Sequence, residues 1–74
     1  MTILHSHFDK TVARYIEFWQ QERNCLIVIN EEDGQRSMDI LYLATGEIEQ
    51  NIDLGSADCY KEQFMMAIRK HFKH

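Results

Sequence analysis

The sequence predicts an α+β domain: a three-stranded antiparallel meander flanked by an N-terminal and a C-terminal helix, both packed on one face of the sheet. Three observations carry that prediction. Apolar residues recur at helical spacing from Phe8 to Trp19, through Val12, Tyr15 and Ile16. They then fall into short β-type runs between Cys25 and Leu54, punctuated by Gly34 and Gly46. Helical spacing returns from Tyr60 to Phe72, through Phe64, Ala67 and Ile68. A helical period that gives way to strand-like runs and then resumes reads as helix, strands, helix. Each helix needs the sheet to cover its apolar stripe.

The elements follow in order. Ser6-His7-Phe8-Asp9 fits a helix start, with Ser6 as N-cap and Asp9 as an acidic variant of the capping box. Phe18 falls off the centre of the apolar stripe, so it either widens the buried face or marks a contact surface. Arg23-Asn24 suits a helix end, because Asn tolerates the left-handed conformation. Cys25-Leu26-Ile27-Val28-Ile29 is a continuous apolar run, as expected of a strand covered on both faces or placed centrally. Asn30-Glu31-Glu32-Asp33-Gly34 is a polar turn, with Gly34 available for positive φ. In the next strand Met38, Ile40 and Tyr42 share one face, and Asp39, Leu41 and Leu43 the other. A short helix ending at Gly46 competes for this segment, but the run is short and lies between two turn signals, which favours strand.

Ala44-Thr45-Gly46 reverses the chain. Ile48, Gln50 and Ile52 then alternate against Glu47, Glu49, Asn51 and Asp53, the pattern of a strand with one wet face. Gly55-Ser56-Ala57-Asp58 breaks the strand and offers Ser56 or Asp58 as N-cap of the last helix. Arg69, Lys70, His71 and Lys73 crowd its final turns, where cations complement the helix dipole. The expected core is Phe8, Val12, Ile16, Trp19, Leu26, Val28, Ile40, Phe64 and Ile68.

Residues 1–74 make one domain, near the lower size limit for a self-sufficient core. Apolar residues at 45% and charged residues at 27% match a globular chain and argue against disorder. Marginal size favours oligomerisation, and a small open sheet has edges that pair between copies, so a homodimer is expected. No apolar run approaches the ~20 residues of a membrane span. The opening Met1-Thr2-Ile3-Leu4-His5 lacks the basic and apolar regions of a signal peptide, so a cytoplasmic location is expected. Cys25 and Cys59 then read as two reduced thiols behaving as small hydrophobes.

The net charge is −4, unevenly spread: residues 22–62 hold ten acids against three bases, and residues 63–74 hold three bases and no acid. An acidic field disfavours phosphate backbones. Two histidine pairs, His5/His7 and His71/His74, supply metal-ligand chemistry, but neither adjoins a cysteine, and no metal is expected. Neither cysteine sits in a local catalytic signature, no phosphate-binding or hydrolase motif is present, and so small a chain rarely encloses a pocket, so neither catalysis nor a cofactor is expected. The acids divide into a turn cluster, Glu31, Glu32 and Asp33, and a strand series, Glu47, Glu49 and Asp53. Together they suit electrostatic docking of another, basic protein. Small size and acidity suit a stoichiometric inhibitor of the immunity-protein kind, or an adaptor. The alternative is a nucleic-acid-associated regulator using Arg69, Lys70 and Lys73, with Phe72 interleaved.

Overall fold

A computed structural model describes residues 1–73. The chain forms a short strand β1 (Thr2–Ile3), a 3-10 turn (His5–His7), helix α1 (Lys10–Arg23), strands β2 (Cys25–Glu32), β3 (Gln35–Tyr42) and β4 (Ile48–Ser56), and helix α2 (Lys61–Phe72). The sheet is antiparallel with order β1-β2-β3-β4, so the fold is α+β with four strands where the sequence pattern indicates three. The additional strand, β1, pairs Thr2 with Asn30 and Ile3 with Ile29. Two residues carry no periodicity, and their pairing depends on a partner far along the chain.

Helix α1 is capped by Asp9, whose carboxylate accepts the Thr11 amide at 2.7 Å; Ser6 instead lies within the 3-10 turn. The intervening Phe8 is extended, which lets its ring stack on Phe64 before the helix begins. The Thr11 amide and the nearby Lys61 charge hold the Asp9 carboxyl below its ordinary range. That stabilisation is present above pH 3.8 and is lost as pH falls through the depressed value. At the other end Asn24 is left-handed (φ 50°) and closes the helix as its sequence position predicts. Helix α2 starts after Tyr60, beyond both Ser56 and Asp58, because β4 runs on to Ser56. There the Gln63 side chain accepts the Tyr60 amide, and the Gln63 amide donates to the Tyr60 carbonyl.

Asp33 and Gly34, both at positive φ, make the two-residue turn that joins β2 to β3 with the twist a hairpin needs. Pairing of Ile27 with Ile40 and Ile29 with Met38 turns Cys25, Ile27 and Ile29 into the core. Leu26 and Val28, expected in the core, face the other way and are 48% and 40% exposed. A run with no polar member contains nothing to say which parity is buried, so the partner strand decides.

The alternation in β4 is interrupted. Its register against β3 shifts between Met38 and Ile40, where Asn51 sits at φ 59° and donates its amide to the Asp39 carboxylate. This is a β-bulge, and it switches the facing of the strand. Before it, Glu49 opposes Ile40 on the helix side and Ile48 faces outward; after it, Ile52 opposes Met38 on the helix side. Glu47, Glu49, Asn51 and Asp53 therefore do not share one wet face.

Both helices cover the same face of the sheet. Val12, Ile16 and Trp19 from α1 and Phe64, Ile68 and Phe72 from α2 join Cys25, Ile27, Ile29, Met38, Ile40 and Leu54 in one core. Phe8 is only partly buried against it. Three antiparallel strands between the helices force the helices to run in the same direction. Phe8 accordingly stacks on Phe64 (5.4 Å) beside both helix starts, and Trp19 on Phe72 (5.0 Å) beside both helix ends. Each stack carries a guanidinium: Arg36 lies 4.9 Å from the Phe64 ring, and Arg23 lies 5.8 Å from Trp19 while donating to the Phe72 carbonyl at 2.6 Å. Ile27→Ala is expected to cost about 2–5 kcal/mol, whereas Leu26→Ala in dilute solution should stay within about 1 kcal/mol. Urea unfolding of the two variants checks this, and equal losses would contradict the facing of β2.

Candidate interaction surfaces

Parallel helices give the molecule two unlike ends. Two helix C-termini lie together at one end, each with roughly half a negative charge, and two N-termini lie together at the other. Arg23, Arg69, Lys70 and Lys73 gather at the C-terminal end, where they offset that charge. The β2–β3 turn with Glu31, Glu32 and Asp33 lies at the N-terminal end, as do Asp9, Asp58 and Glu62.

The acids singled out from the sequence are thus divided. Glu31 turns back and pairs with Arg36 at 3.3 Å. Glu32 and Asp33 are exposed on the hairpin. Asp53 is exposed opposite Ser37, and its carboxylate accepts the Gly55 amide at 2.9 Å. Glu47 is exposed at the opposite end of the sheet, next to the β3–β4 turn. Glu49 is half-buried beneath the sheet, where it accepts the Tyr42 hydroxyl and lies 3.4 Å from His71 Nε2.

The basic residues line open grooves along α2. Arg69 and Lys73 meet Arg23, Phe18, Tyr15 and Trp19 in a cleft of about 490 Å³. Lys70 and Lys73 border a second groove of about 420 Å³ with Gln63, Met66 and Ala67. Phe18, the residue off the α1 stripe, is 51% exposed in the first cleft, so it does not widen the buried face. Arg23 was not among the expected basic residues, since the sequence ties it only to the helix end. The Trp19 indole N–H is inaccessible and has no hydrogen-bond partner among the described residues, a local cost of about 1–3 kcal/mol.

The histidines separate. His5 donates from Nε2 to the Ile27 carbonyl at 2.8 Å, His71 meets Glu49, and His74 lies outside the described residues. Among the described residues no three His, Cys, Asp or Glu side chains come together as a metal site would require. Both cysteines are free thiols, Cys25 buried and Cys59 half-buried. Burial pushes the Cys25 thiol up against the opposing Arg23 charge. Among the described residues no helix is long and apolar enough to cross a membrane.

The side of the sheet away from the helices is uncovered. Leu26, Leu41 and Ile48 form a cross-strand row over β2, β3 and β4, and Val28 and Leu43 lie beside it. Leu43 is 52% and Ile48 62% exposed. The carboxylate at the centre, Asp39, accepts Asn30 Nδ2 at 3.1 Å and the Asn51 amide at 2.9 Å. Alternation in β3 placed Leu41 and Leu43 opposite the core, but Leu26 and Val28 join them only through the register of β2. Comparison with protein-family models, with curated proteins and with solved structures finds no match to this chain.

The Tyr42 phenol is pushed up to about 12, first by burial and then by the Glu49 carboxylate that accepts its hydrogen bond. A proton held more tightly in the folded state means that stability falls as pH rises from 10 to about 12. Absorbance titration is expected to show one of the three tyrosines ionising late, and Glu49→Gln should bring it back toward 10. Iodoacetamide should label Cys59 at least ~10-fold faster than Cys25; the reverse order, read by peptide mass mapping, would contradict the burial of Cys25.

Proposed function

We propose that this chain is a non-enzymatic protein-interaction module, a stoichiometric inhibitor or adaptor that binds a basic protein in the cytoplasm. The observation that carries the reading is the separation of charge along the molecule. Glu32 and Asp33 stand exposed at the β2–β3 hairpin, and Asp58 lies on the same end, where Lys61 is paired with Asp9, while Arg69, Lys70 and Lys73 lie at the far end. Such a gradient orients an approaching basic surface and speeds encounter. Asp53 extends the acidic end along β4. Glu31 and Glu49 contribute less, because Arg36 and the Tyr42–His71 pair already engage them. Glu47 stands apart from the others, at the basic end.

A second reading, a nucleic-acid-associated regulator, is favoured by one observation: Arg69 and Lys73 share a cleft with an exposed Phe18 ring. Base stacking beside phosphate-binding cations is the arrangement single strands use. Compensation of two adjacent helix dipoles accounts for the same cations without a ligand, which leaves this reading second.

Affinity capture from host lysate after nuclease treatment separates the two. The module reading expects a stoichiometric protein retained by Arg69→Glu/Lys73→Glu and reduced at least ~10-fold by Glu32→Lys/Asp33→Lys. Loss of the captured material with nuclease, or with the α2 reversals alone, would overturn it in favour of nucleic acid.

A further inference from the structure

We infer that the outer side of α2 binds single-stranded nucleic acid as a dinucleotide step. One base lies on Phe18, the next on Met66, and the phosphate between them on Arg69 and Lys73. The inference rests on the nucleic-acid reading and narrows it from a class of partner to a mode of contact. Its basis is the way two grooves share their cations. Phe18 and Tyr15 line the cleft of about 490 Å³ between α1 and α2, and Met66 lines the groove of about 420 Å³ along α2. Arg69 and Lys73 border both. The Lys73 amide donates to the Arg69 carbonyl at 2.8 Å, so helical spacing holds between them and sets both side chains on one side of α2.

Each groove offers an exposed surface suited to a base. Phe18 is 51% and Met66 66% exposed. The Phe18 ring lies within 18° of parallel to Tyr15, with centroids 6.5 Å apart, so the two present their faces in nearly one orientation. Any base can stack on an aromatic face, and a thioether packs favourably against an aromatic ring. Dipole compensation explains why cations gather at this end of the helices. It gives no reason for an exposed apolar side chain on either side of them.

The order ring, cation pair, thioether matches the order base, phosphate, base. An acidic peptide would meet the cations with carboxylates that bring no planar face to either groove. A duplex keeps its bases stacked inside and offers only phosphates to this surface, whereas the bases of a single strand splay out onto side chains. A free mononucleotide fills one groove and leaves the other empty. Among the described residues the first cleft sets Arg23, Arg69 and Lys73 against one acid, Glu22, a local positive excess in a chain of net charge −4. Arg23 donates to the Phe72 carbonyl and lies over the Trp19 ring, so it lends charge while Arg69 and Lys73 make the contact. The acidic remainder of the surface repels a longer backbone, which keeps the footprint short and the affinity sensitive to salt.

Fluorescence anisotropy at low salt tests this with a labelled oligodeoxythymidylate of ~10 nucleotides, alone and annealed to its complement. The single strand should bind at least ~10-fold more tightly than the duplex, and thymidine dinucleotide should compete at least ~10-fold better than the mononucleotide. Phe18→Ala and Met66→Ala, both at exposed positions, should each weaken binding at least ~5-fold with circular dichroism unchanged. Phe18→Tyr, which keeps the ring, should restore it, and Leu43→Ala on the bare side of the sheet should leave it as in the wild type. Equal affinity for strand and duplex, or full affinity in both alanine variants, would overturn the dinucleotide mode and leave the nucleic-acid reading standing. Binding of neither form would overturn both. The module reading is separately read from the Glu32 and Asp33 reversals in lysate capture.

Discussion

Two helices separated by three antiparallel strands have to run in the same direction, and here both settle on one face of the sheet. Most of the molecule's character descends from that constraint. It places Trp19 against Phe72 at one end of the helix pair and Phe8 against Phe64 at the other, so the two helices are joined by a ring stack at each end. These rings bridge the two helical segments, and Arg23 and Arg36 lie over the ring faces. Parallel helices also add their dipoles where antiparallel ones would cancel them. The basic residues at the end of α2 and Arg23 at the end of α1 answer the resulting negative field. Charge polarity is thus a consequence of topology before it is a device for binding.

The same constraint leaves the opposite side of the sheet bare. Strand register places Leu26, Leu41 and Ile48 in an apolar row there, beside the polar Asn30, Ser37 and Asp39. Gln20 and His5 meanwhile occupy the Ile27 main-chain groups on the β2 edge beyond β1.

One bulge reshapes the chemistry of the helix side. Asn51 adds a residue to β4 opposite Asp39, and every side chain before it changes face relative to those after it. Glu49 is carried inward to Tyr42 and His71, where its charge raises the phenol's affinity for its proton. Ile48 is carried outward into the apolar row. Asp39 acts as the fulcrum, since its carboxylate holds both the bulged amide and Asn30.

Local signals alone indicated the helices, the three long strands and the turns at Asn24 and within Asn30–Gly34, of which only Asp33 and Gly34 turn while Asn30–Glu32 continue β2. They also separated an acidic middle from a basic tail. What they could not carry was any choice between equivalent alternatives. The run from Cys25 to Ile29 is apolar on both parities, so only pairing with β3 decided that Ile27 is buried and Leu26 is not. Likewise β1 exists only because β2 is there to receive it, and the α1 cap shifted from Ser6 to Asp9 because Phe8 had a ring to meet in α2. The split of the acids between two ends and two faces depended on the bulge and on the direction of the helices. Tertiary structure decided these matters because each depends on contacts between residues that the chain holds far apart.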